Sequence, residues 1–197
     1  MTTRPAGRPR DTSIDERVLA VTRELLVEVG WDELSARLVA ARAGVGRSSL
    51  SRRWSSKADL VLHAILGESP DLSTFSGTNA TDWINWVVDG SHELFSRPDV
   101  SAALPGLLLA LRENDEGLRK TLWEEFAGPA VQLFRDDVNA TTPDERRRAD
   151  IDARASLAMA AGAAWLMTTI AVEDDTDMLL TRIAQILTAA VTERRSG

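Results

Sequence analysis

Residues 35–57 read SARLVAARAGVGRSSLSRRWSSK. The window holds Arg37, Arg42, Arg47, Arg52, Arg53 and Lys57 and no Asp or Glu, although the 197-residue chain carries a formal charge of −7. Its punctuation is as informative as its charge. Ser35 is a hydroxyl where a helix N-cap belongs, and Gly44 ends the run with the residue that tolerates a left-handed backbone. Gly44-Val45-Gly46 is a short turn, and RSSLSRRW carries a further helix. Two short helices joined in this way form a helix-turn-helix pattern, whose second helix enters a DNA major groove.

At about 100° per residue, Leu50 and Trp54 share one face of that second helix and can pack against Leu38, Val39 and Val45. Ser48 and Arg52 then point away from the buried face, Ser49 and Ser51 lie on its flanks, and Arg47 sits at the N-terminal tip. Small hydroxyls and cations can approach a groove closely. Serine offers both donor and acceptor, arginine binds guanine O6 and N7 bidentately, and a carboxylate here would repel phosphate. A charge run by itself is more often a solvated face. This window adds a turn, a buried Leu/Trp pair, a hydroxyl face and the exclusion of acids.

Working outward, Ile14, Val18, Val21, Leu25 and Val29 form one helical stripe, and Gly30 is expected to end that helix. Ser56 caps a further helix with Leu60, Val61, Ala64 and Ile65 on its apolar face. GESPDLSTFSGTN (67–79) is a linker by composition. Beyond it, helices are expected near 80–96, 99–112, 115–138, 143–172 and 176–194, with Pro105-Gly106 breaking or kinking the second of these. Thr142-Pro143-Asp144-Glu145 is a strong helix start. No alternating strand pattern occurs, so the expected fold is all-α, with about nine helices. The chain divides into a basic arm (1–10, with Arg8 and Arg10), a helix-turn-helix unit (11–68) and a larger helical domain (69–197). Residues 1–68 hold 11 Lys/Arg against 9 Asp/Glu and residues 69–197 hold 12 against 21. Only the first part suits a polyanion.

Residues 7–68 resemble the N-terminal domain of TetR-family transcriptional regulators. The resemblance rests on the AxxAGV core at 40–45, the aromatic Trp54 and the SKADL start at 56–60. It implies a homodimer with a three-helix DNA-binding head, a larger ligand-binding and dimerisation domain, and repression of a promoter relieved by a small molecule. By position it implies that Arg37 reads bases near the start of the first helix of the motif. Arg47, Ser48, Ser49 and Ser51 fall on recognition-helix positions, Arg53 and Lys57 on phosphate contacts, and Ser35 on the capping hydroxyl that also touches backbone. The family commonly has tyrosine where this chain has Ser51, so operator preference should differ, with Arg52 a candidate to compensate.

In the larger domain Trp83, Trp86, Trp123, Phe126 and Trp165, with His92, are candidates to line a pocket for an apolar or aromatic effector. Core packing is the competing reading for each of them. Helices near 143–172 and 176–194 are the expected dimer interface: Ala155, Ala158 and Gly162 permit close approach, and Leu179, Ile183, Ile186 and Ala190 make a stripe.

Residues 155–172 are uncharged but alanine-rich, a buried helix rather than a membrane span. The N-terminus lacks a secretory h-region and there is no cysteine, so a cytoplasmic, nucleoid-associated protein is expected. His63 and His92 have no metal-ligand spacing. The 41–48 segment lacks the first glycine and the lysine of a phosphate loop. No catalysis, cofactor or metal is expected. A non-specific architectural DNA binder and a helical protein-interaction module remain as alternatives.

Overall fold

The computed structural model describes residues 12–67, 72, 75, 77, 79–113, 116–137, 142–174 and 176–193; the arm at 1–10 and most of the linker lie outside them. The chain is all-α. The helices are α1 (Thr12–Glu33), α2 (Ala36–Ala43), α3 (Arg47–Ser51), α4 (Lys57–Leu66), α5 (Ala80–Ser96), α6 (Pro98–Arg112), α7 (Glu116–Thr121), α8 (Gly128–Asp137), α9 (Pro143–Thr169) and α10 (Asp177–Glu193). A π-helical stretch, Leu122–Ala127, fuses α7 and α8 into one rod, which leaves nine rods among the described residues.

Local chemistry sets the boundaries. Ser35 accepts from the Leu38 amide (3.2 Å), Ser56 from Asp59 (3.0 Å) and Asn79 from Asp82 (3.0 Å). Thr142 and Glu145 complete a reciprocal capping box at the start of α9. Gly44 closes α2 at φ 66°, ψ 34°, the left-handed geometry in which a Cβ is costly. Two expectations require amendment. The backbone does leave helical geometry at Gly30 (φ 72°, ψ −179°), yet helix resumes as far as Glu33. Pro105 does not break α6, which runs from 98 to 112. Pro105 and Ser101 both face solvent, so the Ser101 carbonyl deprived of its helical donor can be hydrated instead.

Two apolar clusters hold the fold. The first joins α1–α4 to α6, Leu118 and Phe126; Val18, Leu25, Val39 and Val61 are fully buried in it. The second packs α5, α8, α9 and α10 around Trp83, Ile84, Phe134 and Ala153. The helix-turn-helix unit therefore shares its core with α6 and does not hang free of the larger domain. Polar ties reinforce the junction. The Ala64 and Ile65 carbonyls in the last turn of α4 accept from Arg23 of α1 and Arg97 of the α5–α6 corner, both at 2.8 Å. His63 Nε2 lies 3.2 Å from Glu125 in the π-helical stretch.

Candidate nucleic-acid interface

The surface that matters is made by α2, the Gly44–Gly46 turn and α3, seated on α1. Leu50 and Trp54 are buried at 3% and 6% exposure, and the Trp54 amide donates to the Leu50 carbonyl at 3.0 Å. Val39, Ala40 and Ala43 of α2 are buried in the same cluster. With those side chains inward, Arg47, Ser48, Ser51 and Arg52 are exposed, and Ser49 is half-buried on the flank. Arg37 and Ser35 are exposed at the start of α2. The outward face implied by the 3.6-residue period is present, although α3 itself is only five residues long and ends before Trp54.

The six cations of the 35–57 window divide into two groups. Arg37, Arg47 and Arg52 are exposed and have no side-chain partner among the described residues. The other three are tied down. Arg42 makes a bidentate bond to Glu28 of α1 (3.0 and 3.2 Å), which draws the Glu28 carboxyl below its ordinary range and raises Arg42. Arg53 donates from Nε to the buried Asp15 carboxylate and from Nη1 to the Ser49 hydroxyl (2.6 Å) and carbonyl (3.2 Å). Lys57 donates to the Trp31 carbonyl, and its Nζ lies 4.6 Å from the Trp31 ring centroid. Burial lowers the Lys57 ammonium from its ordinary value against the opposing pull of Asp32.

The sequence alone does not reveal the partners that create this division. Asp15 was the more legible: it stands at i, i+3, i+7 with Val18 and Thr22, so a carboxylate on the buried stripe needed a cation. Trp31 carried no local signal, because its surroundings come from α4 and α6.

The six aromatic and histidine candidates of the larger domain are dispersed. Trp83 is buried in the second cluster, donates from Nε1 to the Ala130 carbonyl (2.9 Å) and meets Phe134 edge-on at 4.8 Å. Trp86 is half-buried against Phe75. Phe126 belongs to the first cluster beside His63. Trp123 is exposed, with the Arg154 guanidinium 4.2 Å from its ring centroid. His92 is half-buried one turn from Ser96 on α5, and Trp165 is half-buried on α9. A shallow groove along α10, lined by Met178, Leu179 and Arg182 among others, contains none of the six.

Comparison with known proteins bears on the head above all. Residues 18–64 match the family model described as "Bacterial regulatory proteins, tetR family". An uncharacterized HTH-type transcriptional regulator of Mycobacterium tuberculosis, Rv1556, is 44% identical over 68 residues, 32% of this chain and 34% of that protein. Another, YdeS of Bacillus subtilis, is 32% identical over 65 residues, 33% of each chain. The chain thus spans about a third of the length of these relatives. The DNA-binding transcriptional repressor TetR of Mycobacteroides abscessus is 28% identical over 121 residues, 59% of this chain and 62% of that one. Among solved structures, native NalD of Pseudomonas aeruginosa, a secondary repressor of the MexAB-OprM multidrug efflux pump, superposes with a TM-score of 0.56 at 16% identity. The match covers 90% of this chain and 96% of that one. That likeness is one of fold.

Proposed function

We propose that this chain, whose N-terminal domain belongs to the tetR family of bacterial regulatory proteins, is a DNA-binding transcriptional regulator. It acts as a homodimeric repressor on a palindromic operator and is released by a small apolar or aromatic effector. The observation that carries the reading is the inward anchoring of Leu50 and Trp54, which leaves an acid-free face of Arg37, Arg47, Ser48, Ser51 and Arg52 directed outward. The free arginines supply base and phosphate contacts, and the hydroxyls supply close approach. In this reading Lys57 and the Arg53 Nη2 edge reach phosphate, while their remaining donors stay on the protein.

A two-fold partner suits the far end of the molecule. The exposed side of α9 carries Ile151, Met159 and Leu166 around Ala155, Ala158 and Gly162, with Ile170 just past its end, and α10 exposes Met178, Ile186 and Ala190. Large apolar side chains aligned on two adjacent helices call for a covering surface, and a second copy would close a four-helix bundle. Dimerisation would fix the spacing of two α3 helices, and an effector preferring a different spacing would release DNA; an effector with equal affinity for both states would shift nothing.

The deciding experiment is selection of bound duplexes from a random pool with the purified protein, followed by binding of the selected duplex across a salt series. A regulator enriches a palindromic sequence and binds it far better than random duplex, with affinity falling steeply as salt rises. Equal binding to random duplex would support a non-specific architectural binder, and no binding would support a protein-interaction module.

A further inference from the structure

The two sides of the Ser49 hydroxyl are not equivalent. A guanidinium carries five N–H donors and no acceptor. When Arg53 Nη1 approaches Ser49 Oγ at 2.6 Å, the oxygen must accept. The serine proton is thereby turned away from Arg53, and no described residue accepts it.

Arg53 is not free to change this arrangement. Its Nε donates to Asp15, whose side chain is 1% exposed, and its Nη1 also donates to the Ser49 carbonyl at 3.2 Å. Swinging the guanidinium outward would take the cation away from a carboxylate that is 1% exposed, which is far costlier than breaking a hydrogen bond at the surface. A hydroxyl that accepts a charge-assisted bond is also a better donor, because the cation polarises its O–H. The remaining lone pair could meet a donor on DNA only if the serine proton turned to water at this half-buried position, so donation to DNA makes the fuller use of the hydroxyl.

We propose that Ser49 meets DNA as a hydrogen-bond donor and that the Asp15–Arg53 pair beneath it sets that polarity. Its partner is a hydrogen-bond acceptor: purine N7, guanine O6 or thymine O4 on a base edge, or a phosphate oxygen. The exocyclic amino groups of adenine and cytosine are disfavoured there. Arg53 is on this view a positioning residue for Ser49. The proposal rests on the DNA-binding reading above.

The test starts from the duplex selected by the wild-type chain. If no sequence is enriched, the regulator reading fails and takes the proposal with it. With an enriched duplex, Ser49→Ala should bind about three- to ten-fold more weakly, the worth of one hydrogen bond. That weakening should disappear on a duplex without one particular acceptor: 7-deazapurine for N7, 2-aminopurine for O6, 5-methyl-2-pyrimidinone for thymine O4, or a methylphosphonate for a phosphate oxygen. The base analogues would place the hydrogen bond on a base and the methylphosphonate on the backbone, and either supports the donor role. Wild-type affinity of Ser49→Ala, or a weakening cancelled only by removing an adenine or cytosine amino group, would overturn it. The second arm replaces the buried pair by apolar groups, Asp15→Leu with Arg53→Met, a change such pairs often tolerate. This variant, folded by circular dichroism, should accept amino-bearing bases at the Ser49-dependent position. An unchanged preference there would strip Arg53 of its positioning role. Should it fail to fold, the Ser49→Ala arm still decides the donor role.

Discussion

The indole of Trp31 lies so close to Gly106 that a Cβ built on the glycine would fall 1.9 Å from Cε2 and 2.3 Å from Nε1 of the ring. The contact joins the end of α1 to the middle of α6, and thus the helix-turn-helix unit to the larger domain. Gly106→Ala should displace the ring and cost about 1–3 kcal/mol, as overpacking does. Urea unfolding followed by tryptophan emission measures it; wild-type stability would mean that the junction yields freely. Because Trp31 also holds Lys57, the variant should weaken DNA binding as well.

Leu50→Ala removes the inward anchor of α3 and is expected to cost about 2–5 kcal/mol of stability. Ser48→Ala, on the opposite face, should stay within about 0.5 kcal/mol of wild type while reducing affinity for the selected duplex. Thermal melts and duplex titrations of both variants separate packing from DNA recognition. A lower melting temperature in Ser48→Ala would mean that its hydroxyl supports the fold.

Arg47→Ala should relax base preference by about 1–3 kcal/mol for each bidentate arginine–guanine pair it removes, read as competition between the selected and a scrambled duplex. Lys57→Ala should weaken all sequences alike and reduce the salt slope by about one. A uniform weakening by Arg47→Ala would reassign that residue to phosphate.

Met159→Asp places a carboxylate in the exposed apolar stripe of α9 beside Gly162. Sedimentation should show a dimer for the wild-type chain and a monomer for Met159→Asp at the same concentration, with helical content unchanged. Operator affinity should collapse with it, since a monomer engages one half-site. A dimer that survives Met159→Asp and Ile186→Asp together would remove α9 and α10 from the interface.

The Glu28–Arg42 pair gives a pH signature. Arg42 holds the Glu28 carboxyl below its ordinary value of 4.5 in the folded state, so the native chain binds fewer protons there than the unfolded one. The contribution is therefore present above that value and lost as pH falls through the lowered one. Melting temperatures of wild type and Glu28→Gln should differ slightly at pH 7, and the gap should close in acid. Both side chains are exposed, so salt should shrink it too. A gap that persisted at pH 3 would point to packing instead.

Much of this molecule was written locally in its sequence. The caps Ser35, Ser56 and Thr142, the left-handed Gly44 and the 3.6-residue spacing of Leu50 and Trp54 each act within one or two turns, so a short window suffices to read them. The helical rods and the outward face of α3 follow from such terms. What packing alone decided is which cations remain available. Arg53 and Asp15 are 38 residues apart, and Trp31 and Gly106 are farther; neither pair has a periodicity to betray it. For the same reason Pro105 reads in isolation as a break or a kink, whereas α6 runs unbroken through it with that side facing water. The aromatic residues of the larger domain were visible as composition, but only the fold distributed them between two cores and the surface. Short-range stereochemistry determined the elements, and long-range burial of charge and aromatic rings determined what those elements leave free to act.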